Sequence, residues 1–203
     1  GDIDPAQLTQ ALAKGARDLG AKILRFTRAT GVSRAGDEWI VKTDKGDFRC
    51  EFVVNAAGYY AQRVGEWFKP YGGRTVPMMV MSHQYLLTDE ISELKEWAEV
   101  SGRKLPLLRD VDSSYYLRQE KNGLNLGPYE ANCKAHWDKT SDPMPNDFSF
   151  QLYPDDLERL EWHIEDAMAR VPILGKAGIS KVINGPIPVS YTHLRAHETR
   201  GNL

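Results

Sequence analysis

The feature that most constrains the fold is a short apolar run that ends in four small or polar residues. Phe52-Val53-Val54 is continuous rather than alternating, and Asn55-Ala56-Ala57-Gly58 follows it directly. Continuous apolar strands are typical of parallel sheets that are covered on both faces. Small residues after such a strand let main-chain N–H groups approach the phosphate and ribose oxygens of a dinucleotide. The pattern predicts the edge of a nucleotide site, although a tight turn without a ligand uses the same residues.

The residues before this run predict one helix and a small sheet. Asp4 is a favourable helix N-cap, and Pro5 suits the first helical position. Apolar residues then recur on one face until Gly20, so we expect an amphipathic helix with one buried stripe. Polar turns separate the extended segments that follow, which predicts an antiparallel meander. These expected strands span 22–28, 30–35, 38–43 and 47–50.

The next part of the chain predicts a strand-rich region with one well-defined hairpin. Lys121-Asn122-Gly123 lies between two extended runs, and Asn-Gly in this position is a strong hairpin signal. Alternation along the first run places Tyr116 and Arg118 on one face, with Tyr115 and Leu117 on the other.

We therefore expect a mixed α/β (α+β) protein with an interrupted domain order. Residues 1–74 are predicted to form part of a Rossmann-like nucleotide-binding domain that carries the meander. Residues 75–172 are predicted to form an inserted domain on a mixed or antiparallel sheet, with a helix at 155–170. Residues 173–188 are predicted to return to the first domain. Residues 189–203 show no periodicity tied to this core, and we expect them to be a non-native tail.

Composition excludes several classes of function. Lys and Arg total 26 against 28 Asp and Glu, so no basic excess exists for nucleic acid or an anionic membrane. No apolar run approaches the roughly 20 residues of a membrane span. Cys50 and Cys133 form no Cys-x-x-Cys pair, and no metal site is predicted. We expect a soluble protein of a cytoplasm-like compartment, or of the mitochondrial matrix if the source is eukaryotic.

Three motifs in order resemble one family of flavoproteins. Gly1-Asp2-Ile3-Asp4-Pro5 is followed by Gly20-Ala21-Lys22-Ile23 and then by Val53-Val54-Asn55-Ala56-Ala57-Gly58. This order resembles the FAD-dependent oxidoreductases that are similar to D-amino-acid oxidase and sarcosine oxidase. The resemblance implies FAD as the cofactor, with Asn55, Ala56, Ala57 and Gly58 beside it. It also implies that main chain near Ala29 contacts the adenine.

A second set of motifs resembles the dimethylglycine and sarcosine dehydrogenase branch of that family. The motifs are Ser82–Thr88, Tyr116–Glu120 and Gly127–Glu130. The resemblance implies that His83 and Tyr116 are catalytic residues of an amine pocket, where a hydride leaves the carbon beside the substrate nitrogen. Arg118 is suited to hold a substrate carboxylate in a bidentate grip. The implied substrate is a small amine such as an N-methylated glycine.

Two alternatives stay open at this point. Members of the same fold that oxidise glycerol-3-phosphate or D-amino acids are not separated from this branch by the residues themselves. A non-catalytic α/β module would use Asn55–Gly58 only as a turn, with His83 and Tyr116 as packed or surface side chains.

The resemblance further implies a fragment. Asn184-Gly185-Pro186-Ile187-Pro188 resembles the family's return to the FAD domain, and residues 190–199 then resemble a tail that recurs on unrelated translated sequences. The 203 residues contain no Gly-x-Gly-x-x-Gly phosphate loop. Folate or an electron acceptor, if used, would act through further domains. We expect the 203-residue chain alone to be inactive and not to hold FAD tightly.

Overall fold

The computed structural model describes residues 3–138 and 142–190, and the chain divides into two compact units between Met78 and Met79. Helices and strands are mixed along the chain, as the sequence predicts. The predicted domain boundary at residues 74 and 75 lies four residues before the observed division, inside the segment that leads into the next strand.

The first unit begins with helix α1 (Pro5–Asp18), whose predicted cap is confirmed. Asp4 Oδ1 accepts a hydrogen bond from the Gln7 main-chain N–H at 2.8 Å, which satisfies one of the free donors at the helix start. The predicted burial of its apolar stripe is wrong, because no residue of α1 is buried and Leu12 is 66% exposed. An apolar stripe is buried only where another layer packs on it, and none does so among residues 3–78.

Three antiparallel strands form the predicted meander. They are β1 (Ala29–Ala35), β2 (Glu38–Thr43) and β3 (Gly46–Cys50), and Val41 of β2 pairs with Val32 on one side and Phe48 on the other. The strand expected at 22–28 is not present. Phe26 has φ +53°, a left-handed conformation that interrupts an extended path.

The predicted buried strand at 52–54 is also wrong. This segment joins no strand of the unit, and Phe52 and Val54 are more than four-fifths exposed. A continuous apolar strand needs hydrogen-bonded neighbours and a cover on both faces, and the described part of this unit supplies only the meander. The chain then forms a short 3₁₀ turn from Gly58 and helix α2 (Ala61–Glu66).

The second unit is built on a six-stranded sheet with two helices. Strands β4 to β8 pair in an antiparallel manner in the order β5-β6-β7-β4-β8, and β9 also pairs with β4. The strands are β4 (Met78–Thr88), β5 (Leu108–Asp110), β6 (Tyr115–Glu120), β7 (Gly123–Pro128), β8 (Ala135–His136) and β9 (Ile179–Ser190); the helices are α3 (Ser92–Ser101) and α4 (Glu161–Arg170). The β6–β7 hairpin with its two-residue turn is confirmed.

One face of this sheet packs against α3 and α4 and forms the core. Tyr115 and Leu117 of β6 are buried on this face, as their alternation predicts, while Tyr116 and Arg118 are only partly covered on the other. The core cluster consists of Leu86, Ile91, Leu94, Tyr115, Leu117, Leu124, Leu126, Leu160, Ala167, Leu174 and Val182. The opposite face is only partly covered within the described residues of this unit.

Residues 173–188, which are predicted to return to the first domain, belong to the second compact unit by their contacts. Within this segment β9 begins at Ile179 and pairs with β4, so its main-chain hydrogen bonds belong to the six-stranded sheet. The strand also continues two residues into the predicted tail, and the rest of that tail (191–203) lies outside the described residues. Within 3–138 and 142–190, no helix has both the length and the apolar character needed to cross a bilayer.

Candidate functional site

The exposed face of the second unit's sheet gathers the predicted substrate residues. Tyr116 pairs with Arg109 on one side and with Gly127 on the other. Arg118 and Leu87 both pair with Asn125, which puts β4 and β6 in a common register. Paired residues point to the same face, and residues two apart on a strand do so as well.

His83 precedes Leu87 by four residues on β4, so their side chains point to the same face of the sheet. Through the pairs at Asn125, this is also the face of Arg118 and Tyr116. Both rings contact a third ring, Tyr129, which follows β7. The His83 and Tyr129 centroids are 6.2 Å apart with an interplanar angle of 30°, and those of Tyr116 and Tyr129 are 6.1 Å apart at 62°. The predicted pair His83 and Tyr116 is thus joined through Tyr129, whose role the sequence analysis did not assign.

The absence of a side chain at Gly127 makes room for the Tyr116 ring. A Cβ atom at Gly127 would lie 2.0 Å from Tyr116 Cζ and 2.3 Å from its hydroxyl oxygen. The tyrosine therefore lies flat across the neighbouring strand, and its hydroxyl position depends on this glycine.

Burial sets the protonation of the two predicted catalytic residues. It lowers the pKa of His83 below its ordinary value, an effect that the Glu130 carboxylate opposes and the Arg159 guanidinium reinforces. Burial raises the pKa of Tyr116, against the opposing field of Arg118. At neutral pH His83 is accordingly neutral and able to accept a proton, whereas Tyr116 keeps its proton and can donate a hydrogen bond.

Arg118 borders a cleft of about 380 Å³ on the same face. Its guanidinium lies 3.0 Å from the Glu120 carboxylate, and Tyr85 and Asn125 also line the cleft. Asn125 is 2% exposed, and its Oδ1 atom has no hydrogen-bond partner among the described residues. A buried acceptor without a partner is costly unless a ligand or water donates to it, so the cleft suits a molecule that carries a donor.

Arg109 is a second guanidinium on this face, which sequence reasoning missed. It donates from Nη2 to the Tyr129 hydroxyl at 3.3 Å and lies over the same ring, 5.7 Å from the centroid. The signal that could have found it is its place in a short extended segment beside the β6–β7 hairpin. Only the strand register shows that it faces Tyr116.

The residues predicted to contact the cofactor lie in the first unit. Asn55 anchors the bend: its Nδ2 donates to the Ala61 carbonyl at 2.9 Å, and its Oδ1 accepts from the Ala57 N–H at 3.3 Å. Gly58 has φ +56°, and a Cβ placed there would meet no atom within 4 Å. Ala56 and Gly58 are exposed, so main chain is accessible at this bend and fits the approach of a dinucleotide.

Ala29 opens strand β1 at an irregular point of the meander. It pairs with Thr43, and the register shifts between Ala29 and Gly31. Its small, exposed side chain leaves the adjoining main chain accessible, which is what a contact with a planar base requires.

The chain is similar to known flavoproteins along nearly all of its length. It matches the family described as FAD dependent oxidoreductase over residues 1–201. Mitochondrial dimethylglycine dehydrogenase of Homo sapiens is 42% identical over 193 residues, which are 94% of this chain and 21% of that protein. Mitochondrial sarcosine dehydrogenase of Homo sapiens is 34% identical over 192 residues, 92% of this chain and 19% of that protein. The chain thus spans about a fifth of the length of these curated relatives.

A solved structure supports the fold. L-proline dehydrogenase from P. horikoshii superposes with a TM-score of 0.66 at 24% identity, over 91% of this chain and 43% of that one. At this identity the likeness concerns architecture alone, and it confirms the predicted mixed α/β class.

Proposed function

We propose a function from one premise: this chain belongs to the family of FAD-dependent oxidoreductases. The full-length protein oxidises N-methylated glycines of the dimethylglycine and sarcosine type, with transfer of a hydride from the carbon beside nitrogen to the flavin. The observation that carries the proposal is the gathering of His83, Tyr116 and Tyr129 on the exposed sheet face, with guanidinium groups on the same face.

The aromatic rings suit the amine end of such a substrate. A methylated ammonium group is attracted to the faces of Tyr116 and Tyr129. The amine must lose its proton before oxidation, and neutral His83 can accept that proton. Tyr116 orients the substrate by a hydrogen bond from its hydroxyl, since its raised pKa keeps that proton in place.

The carboxylate end of the substrate is assigned to Arg118, which borders the cleft. A guanidinium binds a carboxylate through two parallel hydrogen bonds, which fixes orientation as well as charge. FAD is held in part by main chain at Asn55, Ala56, Ala57 and Gly58 and near Ala29, and when bound it supplies the hydride acceptor. Folate or a protein electron acceptor is a further partner, and a eukaryotic form acts in the mitochondrial matrix.

A substrate panel on the full-length flavoprotein tests the proposal. Initial rates are measured with dimethylglycine, sarcosine, glycerol-3-phosphate and D-alanine at equal concentrations. We expect kcat/KM for the N-methylated glycines to exceed that for the other two compounds by at least about a hundredfold, because removal of a matched polar contact discriminates strongly. A preference for glycerol-3-phosphate or D-alanine would contradict it.

Arg118→Gln provides a test of the carboxylate contact. We expect KM for dimethylglycine to rise about tenfold to a hundredfold, since hydrogen bonds to charged groups contribute about 1.5–3 kcal/mol. The KM for trimethylamine, which has no carboxylate, stays unchanged. Arg103→Gln, in an exposed loop, is the matched control and alters neither value. If Arg109→Gln instead produces the selective loss, the carboxylate lies on Arg109 and the assignment to Arg118 is wrong.

A further inference from the structure

A buried ion pair lies behind the sheet face that carries His83. We propose that Glu130 and Arg159 are positioning residues: they hold the residues of strand β4 directly before and after His83 and thereby fix the position of its imidazole ring. The inference deepens the proposed function and rests on the role given there to His83. Neither residue belongs to the exposed face itself.

The first anchor is Ser82, directly before His83. Its hydroxyl accepts a hydrogen bond from Arg159 Nη1 at 2.7 Å, and its main-chain N–H donates to the Lys134 carbonyl at 2.8 Å. Ser82 is 1% exposed, so neither bond competes with solvent.

The second anchor is Gln84, directly after His83, and it is fully buried. Its main-chain N–H donates to Glu130 Oε1 at 3.1 Å, where a carboxylate takes the place of a neighbouring strand's carbonyl. Its side-chain amide both donates to the Asp156 carbonyl at 3.0 Å and accepts from the Asp156 N–H at 2.9 Å. His83 therefore lies between two residues that are held from the opposite side of the sheet.

Arg159 and Glu130 also hold each other. Arg159 Nε lies 3.1 Å from Glu130 Oε2 as an ionic contact without a hydrogen bond along Nε–H, and the two side chains are 10% and 2% exposed. Glu130 follows Tyr129, the ring that stacks with His83. The Glu130 carboxylate thus anchors the main chain beside His83, and Glu130 is also the chain neighbour of Tyr129. A change at Glu130 therefore acts on both rings of this contact.

Charge offers a readout that a purely structural role would not produce. The ionisable groups on the segments packed against β4 here include Tyr129, Glu130, Cys133 and Lys134 after β7, His136 of β8, and Asp156 and Arg159 before α4. The Glu130 carboxylate favours protonated His83, and the Arg159 guanidinium disfavours it. Removal of the Glu130 charge should therefore lower the pKa of His83, and removal of the Arg159 charge should raise it.

The experiment follows the His83 proton resonance by NMR against pH in the full-length protein with isotope-labelled histidine, and the peak is identified by its loss in His83→Gln. We expect Glu130→Gln to lower the midpoint by about half a pH unit or more and Arg159→Met to raise it by a similar amount. Glu93→Gln is the matched control, because Glu93 on α3 forms an exposed ion pair with Lys176, and its substitution should leave the titration of His83 unchanged.

Shifts in the same direction, or no shift in folded variants, would overturn the proposal. If a single substitution prevents folding, Glu130→Gln combined with Arg159→Gln removes both charges and leaves no unpaired ion. In that variant we expect the nuclear Overhauser contact between His83 and Tyr129 to weaken, and an unchanged contact would overturn the proposal as well. These readouts need neither substrate nor flavin, so they fail or succeed separately from the substrate panel.

Discussion

Gly127→Ala in the full-length protein should lower kcat/KM for dimethylglycine by about a hundredfold, an effect typical of a misplacement of about 1 Å. The added Cβ would overlap the Tyr116 ring at 2.0–2.3 Å, so the ring must leave its place across β7. Overpacking of this kind also costs about 1–3 kcal/mol of folding free energy. Steady-state kinetics and thermal unfolding measure the two effects.

A double-mutant cycle shows whether the loss passes through the tyrosine. In a Tyr116→Ala background the same alanine at position 127 has space, and we expect it to cost little further activity or stability. Gly185→Ala is the matched glycine control, because its nearest neighbour, Leu152 Cδ2, would be 3.5 Å from the new Cβ, an ordinary contact. Equal losses in the Gly127 variant with and without the Tyr116 ring would contradict this reading of the site.

The second large effect concerns the cofactor. We expect the purified 203-residue chain to contain far less than one FAD per molecule, whereas the full-length protein retains a full complement. The bend at Asn55–Gly58 presents main chain, but these 203 residues contain no Gly-x-Gly-x-x-Gly loop to bind the diphosphate. The apolar side chains that lead into the bend, Phe52 and Val54, are exposed.

Visible absorbance of the desalted chain measures this prediction, with protein concentration taken from amino-acid analysis. The chain is first incubated with excess FAD, so that slow loss during purification is not mistaken for weak binding. A yellow chain with stoichiometric FAD after desalting would show that the bend and the meander bind the dinucleotide on their own.

Local signals predicted much of this fold correctly. The cap at Asp4, the meander and the hairpin at Lys121-Asn122 all depend on residues close in sequence, and each is present. Alternation also assigned Tyr116 and Tyr115 to opposite faces. Alternation can be recognised from the residues of one strand, without knowledge of the strands that pair with it.

The errors fall where structure depends on distant partners. The run at 52–54 has the composition of a buried strand, yet its described surroundings provide no neighbours for it. Strand β9 pairs with β4 across some ninety residues, and no local pattern specifies which sheet it joins. For the same reason Arg109 and Arg159 were not recognised, because their importance comes from contacts with Tyr129 and Ser82 rather than from their own segments.

The alternation of β6 has a consequence for how the site comes into being during folding. A slip of one residue in that strand would turn Tyr116 and Arg118 toward the helices and leave Tyr115 and Leu117 in water. Such a slipped hairpin would bury the guanidinium of Arg118 and expose the side chains of Tyr115 and Leu117 to water, so it is strongly disfavoured. Burial of Tyr115 and Leu117 in the core and presentation of Tyr116 and Arg118 on the other face therefore occur together during folding. We expect a hairpin that has not reached this register to show no substrate binding.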